Sequence, residues 1–72
     1  MIIEAFSRGA ERIALGRARI NGEPVLVVPP RYGPHDGYTG KTGLILMEDG
    51  DEFLVDIGTD HVWFNMQRLT IA

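Results

Sequence analysis

A hairpin signal near the middle of the chain limits the fold more than any other feature of the sequence. Two apolar runs, residues 43–47 and 52–57, flank the pair Asp49-Gly50, which tolerates the positive φ angles of a type I′ turn. The second run alternates with a period of two and places Phe53, Val55 and Ile57 on one face. This pattern predicts two antiparallel strands joined by a tight turn.

The length of the turn decides which residues of the first run point into the core. A two-residue turn, which we favour, leaves Ile45, Met47 and Leu54 on the outer face of the hairpin. A three-residue loop over residues 49–51 shifts the register by one and turns Ile45 and Met47 inward instead. With the two-residue turn, the predicted core consists of apolar strand residues: Val25, Val27, Leu44, Leu46, Phe53, Val55 and Leu69.

Further strands are predicted on both sides of this hairpin. Residues 25–28 are apolar and β-branched, and Asn21-Gly22 before them predicts a hairpin with residues 17–20, in which Arg17 and Arg19 share an exposed face. Residues 62–64 and 69–71 are strand-like, with one polar helical turn between them over residues 65–68. Trp63 and Phe64 point to opposite faces, so only one of them belongs in the core.

The remaining segments are a glycine- and proline-rich loop and the first 15 residues, whose pattern fits either a helix or a short strand. Residues 29–43 form a loop by composition, and so long a connection in a small domain is usually functional. At the start, Ile2, Phe6 and Ile13 fit a helical stripe with Ala10 and Ala14, but residues 2–6 also fit a short strand. We favour an edge strand within residues 1–15, followed by irregular or helical chain.

Length, hydropathy and charge limit the number of domains and the kinds of partner that the chain can have. Seventy-two residues predict a single domain, here an extension and first strand at 1–23 and a core at 24–71. No apolar run approaches the ~20 residues that cross a bilayer, and the start lacks a signal-peptide pattern, so we expect a cytoplasmic protein with no membrane contact. Residues 1–42 carry six Lys and Arg against four Asp and Glu, whereas residues 43–72 carry one against six. The net charge of −3 disfavours non-specific nucleic-acid binding.

The order of these elements resembles a known family. A strand at residues 25–28, followed by the Gly40-Lys41-Thr42-Gly43 step and a second strand, resembles the KOW motif. The hairpin, aromatic pair, tight turn and final short strand that follow are similar to SH3-like barrels, although residues 31–37 lengthen a loop that the motif keeps compact. The resemblance implies an all-β fold: a single small SH3-like barrel of about five strands. KOW domains bind RNA or protein, and similar barrels serve as accessory subunits.

No pattern in the sequence indicates a catalytic, cofactor-binding or metal site. Gly40-Lys41-Thr42 lacks the first glycine of a phosphate-binding P-loop and precedes a predicted strand instead of a helix. The pairs His35-Asp36 and Asp60-His61 do not have the spacing of a local metal site. Ser7 is the only serine and cysteine is absent, so a nucleophilic enzyme is not expected.

Two binding hypotheses remain, and the acidic total favours the first. In the first, the acidic hairpin and the long loop form a protein-docking surface of a regulatory or accessory subunit. A homodimer through the outer hairpin face remains open. In the second, the domain binds RNA or single-stranded DNA by charge and stacking. The protein-binding candidates are Tyr32, Tyr38, Asp51, Glu52 and Trp63. The nucleic-acid-binding candidates are Arg17, Arg19, Arg31 and Lys41, with the two tyrosines.

Overall fold

One helix and a five-stranded antiparallel sheet make up the structure. The computed structural model describes the chain from Ile2 to Ala72, with side chains from Gly9 onward. The elements in chain order are α1 (Ile2–Asn21), β1 (Val25–Val27), β2 (Thr42–Asp49), β3 (Glu52–Asp56), β4 (His61–Asn65), a 3-10 helix (Met66–Arg68) and β5 (Leu69–Ile71). The strand order across the sheet is β4-β3-β2-β1-β5.

The five antiparallel strands confirm the main part of the prediction, and the all-β class needs correction. The chain is not all-β, because its first 20 described residues form a helix. The described strands form an open sheet, with β4 and β5 at its edges. The loop predicted over residues 29–43 is also slightly shorter, because β2 begins at Thr42.

The pair Asn21-Gly22 ends α1 instead of turning a hairpin. Gly22 has a φ of 66°, the left-handed conformation that ends many helices, and the Glu23 N–H donates to the Ala18 carbonyl at 2.9 Å. Residues 17–20 are therefore the last turn of a helix, and the predicted first strand is wrong, as is the edge strand within residues 1–15. Positive φ is needed in both settings, so Asn-Gly fits either one.

The turn between β2 and β3 lies one residue later than predicted. Asp49 pairs with Glu52, so Gly50 and Asp51 form the turn, with Gly50 at a φ of 61°. A bulge at Leu46 then shifts the register of β2 against β3.

The bulge decides which residues of β2 are buried. Ile45 pairs with Val55 and is only 5% exposed, whereas Leu44 and Leu46 are 44% and 41% exposed. The predicted core positions of Leu44 and Leu46, and the outer position of Ile45, are therefore wrong. The alternative three-residue loop places Ile45 correctly but not Met47, which is exposed, because the bulge interrupts the alternation between these two residues.

The core lies between α1 and the inner face of the sheet. Five predicted members, Val25, Val27, Phe53, Val55 and Leu69, are buried. Among the residues whose side chains the structure describes, the other buried apolar ones come from the helix, from the shifted strand and from the segment after β3: Leu15, Ala18, Ile45, Phe64 and Met66. As predicted, Trp63 and Phe64 point to opposite sides of β4, and it is Phe64 that enters the core.

Strand β2 belongs to both halves of the sheet, and Gly43 lies where it passes from one half to the other. Gly43 pairs with Val25 of β1. A Cβ atom at this position would collide with the carbonyl oxygen of Asp56 and lie 2.9 Å from Cγ1 of Val55. A side chain at residue 43 would therefore push β3 away from β2.

Candidate functional site

The side of the β2–β3–β4 sheet opposite the core presents a row of apolar side chains. Leu54 pairs with Met47 of β2 and with Trp63 of β4, so these three residues are aligned across the strands. Met47 and Trp63 are 55% and 46% exposed, and Leu54 is half-buried. Leu44 and the bulged Leu46 extend the row along β2. We refer to Leu44, Leu46, Met47, Leu54 and Trp63 as the outer face.

Carboxylates lie next to the outer face at both ends of its strands. At the hairpin end, Asp49 pairs with Glu52, and Glu52 accepts a hydrogen bond from Nδ2 of Asn65 at 2.9 Å. At the opposite end, Asp56 pairs with His61, whose Nε2 lies 3.8 Å from a carboxylate oxygen of Asp56. An apolar row is thus bracketed by negative charge along the strand direction.

The predicted protein-binding residues do not form one continuous surface. Glu52 and Trp63 lie on the side of the outer face. Tyr38 packs instead against the core residue Phe64, edge to face with 5.6 Å between ring centroids. Asp51 points towards α1, where its carboxylate lies 3.3 Å from Nε of Arg12, and Tyr32 is exposed in the loop after β1.

Arg68 holds the long loop against the domain. Its guanidinium donates to both carboxylate oxygens of Asp36, at 2.7 and 3.1 Å, and its Nε donates to the carbonyl of Val28 at 2.9 Å. The same guanidinium lies over the ring of Phe64, 5.7 Å from the centroid. The loop that the sequence marks as functional is therefore fastened by an ion pair, a stacked cation and the packing of Tyr38.

The ion pair with Arg68 also changes the acidity of Asp36. The hydrogen bonds from Arg68, together with one from the backbone N–H of Tyr38 at 3.1 Å, lower the pKa of Asp36 from 3.8 to about 2. These bonds favour the charged carboxylate because it accepts all of them. The Asp36 carboxylate is thus used to hold the loop against Arg68.

The predicted nucleic-acid-binding residues are spread over several elements. Arg17 and Arg19 are two positions apart on a helix and not on a strand, which separates them by about 200° around the axis. Their predicted common face is therefore wrong, and Arg19 lies 3.5 Å from Glu48 of β2. Arg31 lines a cavity of about 280 Å³ between α1 and β5, and Lys41 directly precedes β2.

The glycine-lysine motif and the described His, Asp and Glu side chains do not have the surroundings of a phosphate or metal site. Gly40-Lys41-Thr42 leads into a strand, whereas a P-loop leads into a helix. Within the described residues, no group of three His, Asp or Glu side chains is arranged to hold a metal ion. Across that same part of the chain, no helix has the length and apolar character needed to cross a bilayer.

Comparisons with protein families, with characterised proteins and with solved structures found no significant match to this chain.

Sequence reasoning found part of the outer face and missed the rest. It placed Met47 and Leu54 outside the hairpin and Trp63 opposite Phe64, in agreement with the structure. It missed Leu44 and Leu46 because their exposure depends on the bulge, for which the sequence carries no recognisable signal.

Proposed function

We propose that this protein is a non-catalytic binding module that docks onto a protein partner through the outer face, as a regulatory or accessory subunit. The observation that carries the proposal is the uncovered row of Met47, Leu54 and Trp63, extended by Leu44 and Leu46. Contiguous exposed apolar surface on a small soluble domain is characteristic of an interaction site.

The position of these residues strengthens the proposal. An antiparallel sheet with one face on the core usually carries polar side chains on the other face, where water satisfies them. Here the middle of that second face is apolar, and the polar residues Asp49, Glu52 and Asp56 lie at its ends. An apolar centre with a polar rim is the usual composition of a protein interface.

We also propose that the fold is an SH3-like barrel related to KOW domains. The supporting observations are the element order over residues 24–71, the Gly40–Gly43 step into β2, and the 3-10 turn of Met66–Arg68 before the last strand. The helix α1 is an addition to that pattern.

Binding of RNA or single-stranded DNA has less support than binding of protein. Arg19 lies beside Glu48, and Tyr38 packs on Phe64, so neither is free to hold a nucleotide. The carboxylates near the outer face repel a phosphate backbone. A nucleic-acid site would therefore use Arg17, Arg31 and Lys41, with the exposed Tyr32 as the stacking residue.

Capture of partners by the purified, immobilised protein tests the proposal. The variant Met47→Lys alters the outer face, and the matched control Ile20→Lys alters a 73% exposed residue on α1. We expect the wild-type protein and the control to retain the same protein partner after nuclease treatment, and Met47→Lys to lose it. Retention of that partner by Met47→Lys would contradict docking through the outer face.

Binding to a labelled single-stranded oligonucleotide tests the alternative. Nucleic-acid binding falls steeply with added salt, because each phosphate contact releases counterions. We expect only weak binding to the wild-type protein. Tight, salt-sensitive binding that disappears in the double variant Arg31→Ala and Lys41→Ala would favour the nucleic-acid hypothesis.

A further inference from the structure

The charges around the outer face indicate what kind of protein segment it accepts. In the three rows of paired residues that form this face, the ionisable side chains are Asp49, Glu52, Asp56 and His61. Three carboxylates thus surround an apolar row, and the only basic group among these rows, His61, already lies near Asp56. A partner that buries the apolar row brings its own charges close to these carboxylates, so positive charges are favoured.

The spacing of the carboxylates sets the spacing of the positive charges. Glu52 and Asp56 are four residues apart on β3, which corresponds to about 13 Å along the strand. Leu54 lies midway between them. Helix residues about seven positions apart lie on the same side of the helix, roughly 10.5 Å apart. Long Lys or Arg side chains at such positions span the remaining distance to both carboxylates, while the residues between them cover Leu54.

A helix suits this face because the sheet is covered on one side only. The stable arrangements of a sheet with two apolar faces place a layer of secondary structure on each face. Here α1 packs on the inner face, through Leu15 and Ala18, and no described element covers the outer face. A partner helix that lies along the strands would complete a helix–sheet–helix arrangement.

The same charges disfavour a second copy of this chain. If two outer faces pack with their strands aligned, a twofold axis along the central strand β3 places Glu52 against Glu52 of the other copy. A twofold axis across the strands places Glu52 against Asp56 of the other copy. Carboxylates face carboxylates in both cases, and like charges across an interface are costly.

We infer that the outer face binds an amphipathic helix of the partner, whose apolar side is bracketed by Lys or Arg residues about seven positions apart. This inference rests on the proposed docking function and specifies the chemistry of the partner. The contacts that carry it are the apolar row and the carboxylates at its two ends.

Synthetic helical peptides test the inference directly. Two peptides of about 14 residues share the same leucine side and lack tryptophan, and they differ only in carrying two lysines or two glutamates at the bracketing positions. Trp63 is the only tryptophan of the chain and belongs to the outer face, so its emission reports binding. We expect a saturable blue shift with the lysine peptide and affinity about tenfold lower for the glutamate peptide.

Charge-neutralised variants of the protein complete the test. The double variant Glu52→Gln and Asp56→Asn keeps the shapes of both side chains, including the acceptor that Asp56 offers to the Gly58 N–H. We expect it to bind the lysine peptide about fivefold more weakly, the effect of two exposed ion pairs. The control Glu11→Gln and Glu23→Gln removes the same charge elsewhere and should leave affinity unchanged.

Three results would overturn the inference. Equal binding of the two peptides would show that charge does not select the partner. Failure of both peptides to bind, while Met47→Lys still abolishes capture of a cellular partner, would reject the basic helix and leave the docking function standing. A wild-type protein that sediments as a dimer, and becomes a monomer on the Met47→Lys change, would assign the outer face to a second copy.

Discussion

Burial separates residues that look equivalent in the sequence. Phe53 and Leu46 both belong to apolar runs of the same hairpin, yet Phe53 is fully buried and Leu46 is substantially exposed. The difference arises because the bulge at Leu46 moves that residue out of register with β3. Stability should therefore depend on the two residues very differently.

Truncation of these two side chains gives the first prediction. Phe53→Ala should lower the free energy of unfolding by about 3–5 kcal/mol, because it leaves a cavity in the centre of the core. Leu46→Ala should cost less than about 1 kcal/mol, because its side chain is largely in water already. Urea unfolding measures both free energies. Equal losses of stability in the two variants would indicate that Leu46 is buried in the core.

The ion pair between Asp36 and Arg68 predicts how the stability of the protein changes at low pH. Because the folded-state pKa of Asp36 is lowered from 3.8 to about 2, its contribution to stability is present above the ordinary pKa and is lost as the pH falls through about 2. Asp36→Asn removes that contribution. The thermal midpoint of the wild-type protein should therefore exceed that of Asp36→Asn above pH 4, and the difference should shrink as the pH falls towards 2. A difference that stays constant over this range would contradict the ion pair.

At the scale of elements, the strands follow from the sequence and the helix does not. Apolar alternation and turn residues are local signals, and they locate all five strands within a few residues. The boundary of α1 depends on whether Asn21-Gly22 caps a helix or turns a hairpin, and the local sequence permits both. If residues 17–20 formed a strand, Arg17 and Arg19 would share one face; in the helix they lie on different sides. The wrong secondary structure for this segment therefore also gave a wrong arrangement of two candidate nucleic-acid-binding residues.

Two glycines of the helix region test its assignment. Gly9 lies inside α1 with open space around its Cα, so Gly9→Ala should stabilise the protein by about 0.4–1 kcal/mol through lower entropy of the unfolded chain. Gly22 ends the helix at positive φ, so Gly22→Ala should destabilise it by about 1–2 kcal/mol. Chemical unfolding of the two variants measures both signs. Destabilisation by Gly9→Ala would argue against a continuous helix.

For the molecule as a whole, the structure explains the charge asymmetry of the sequence. The basic first part and the acidic second part meet where α1 packs beside the β2–β3 hairpin, with Arg12 near Asp51 and Arg19 near Glu48. Each such surface pair contributes at most about 1 kcal/mol. The asymmetry thus reflects contacts within the chain, and the carboxylates outside these pairs include those that bracket the outer face.

Photo-crosslinking in the cells that produce the protein is the most direct test of docking through the outer face. A photoreactive amino acid replaces Met47 in the outer face or, as the control, Ile20 on the exposed side of α1. We predict that illumination links position 47 to one protein partner, at a segment rich in Lys or Arg, and that position 20 gives no such product. Crosslinks to that partner from position 20 but not from position 47 would contradict the assignment of the outer face.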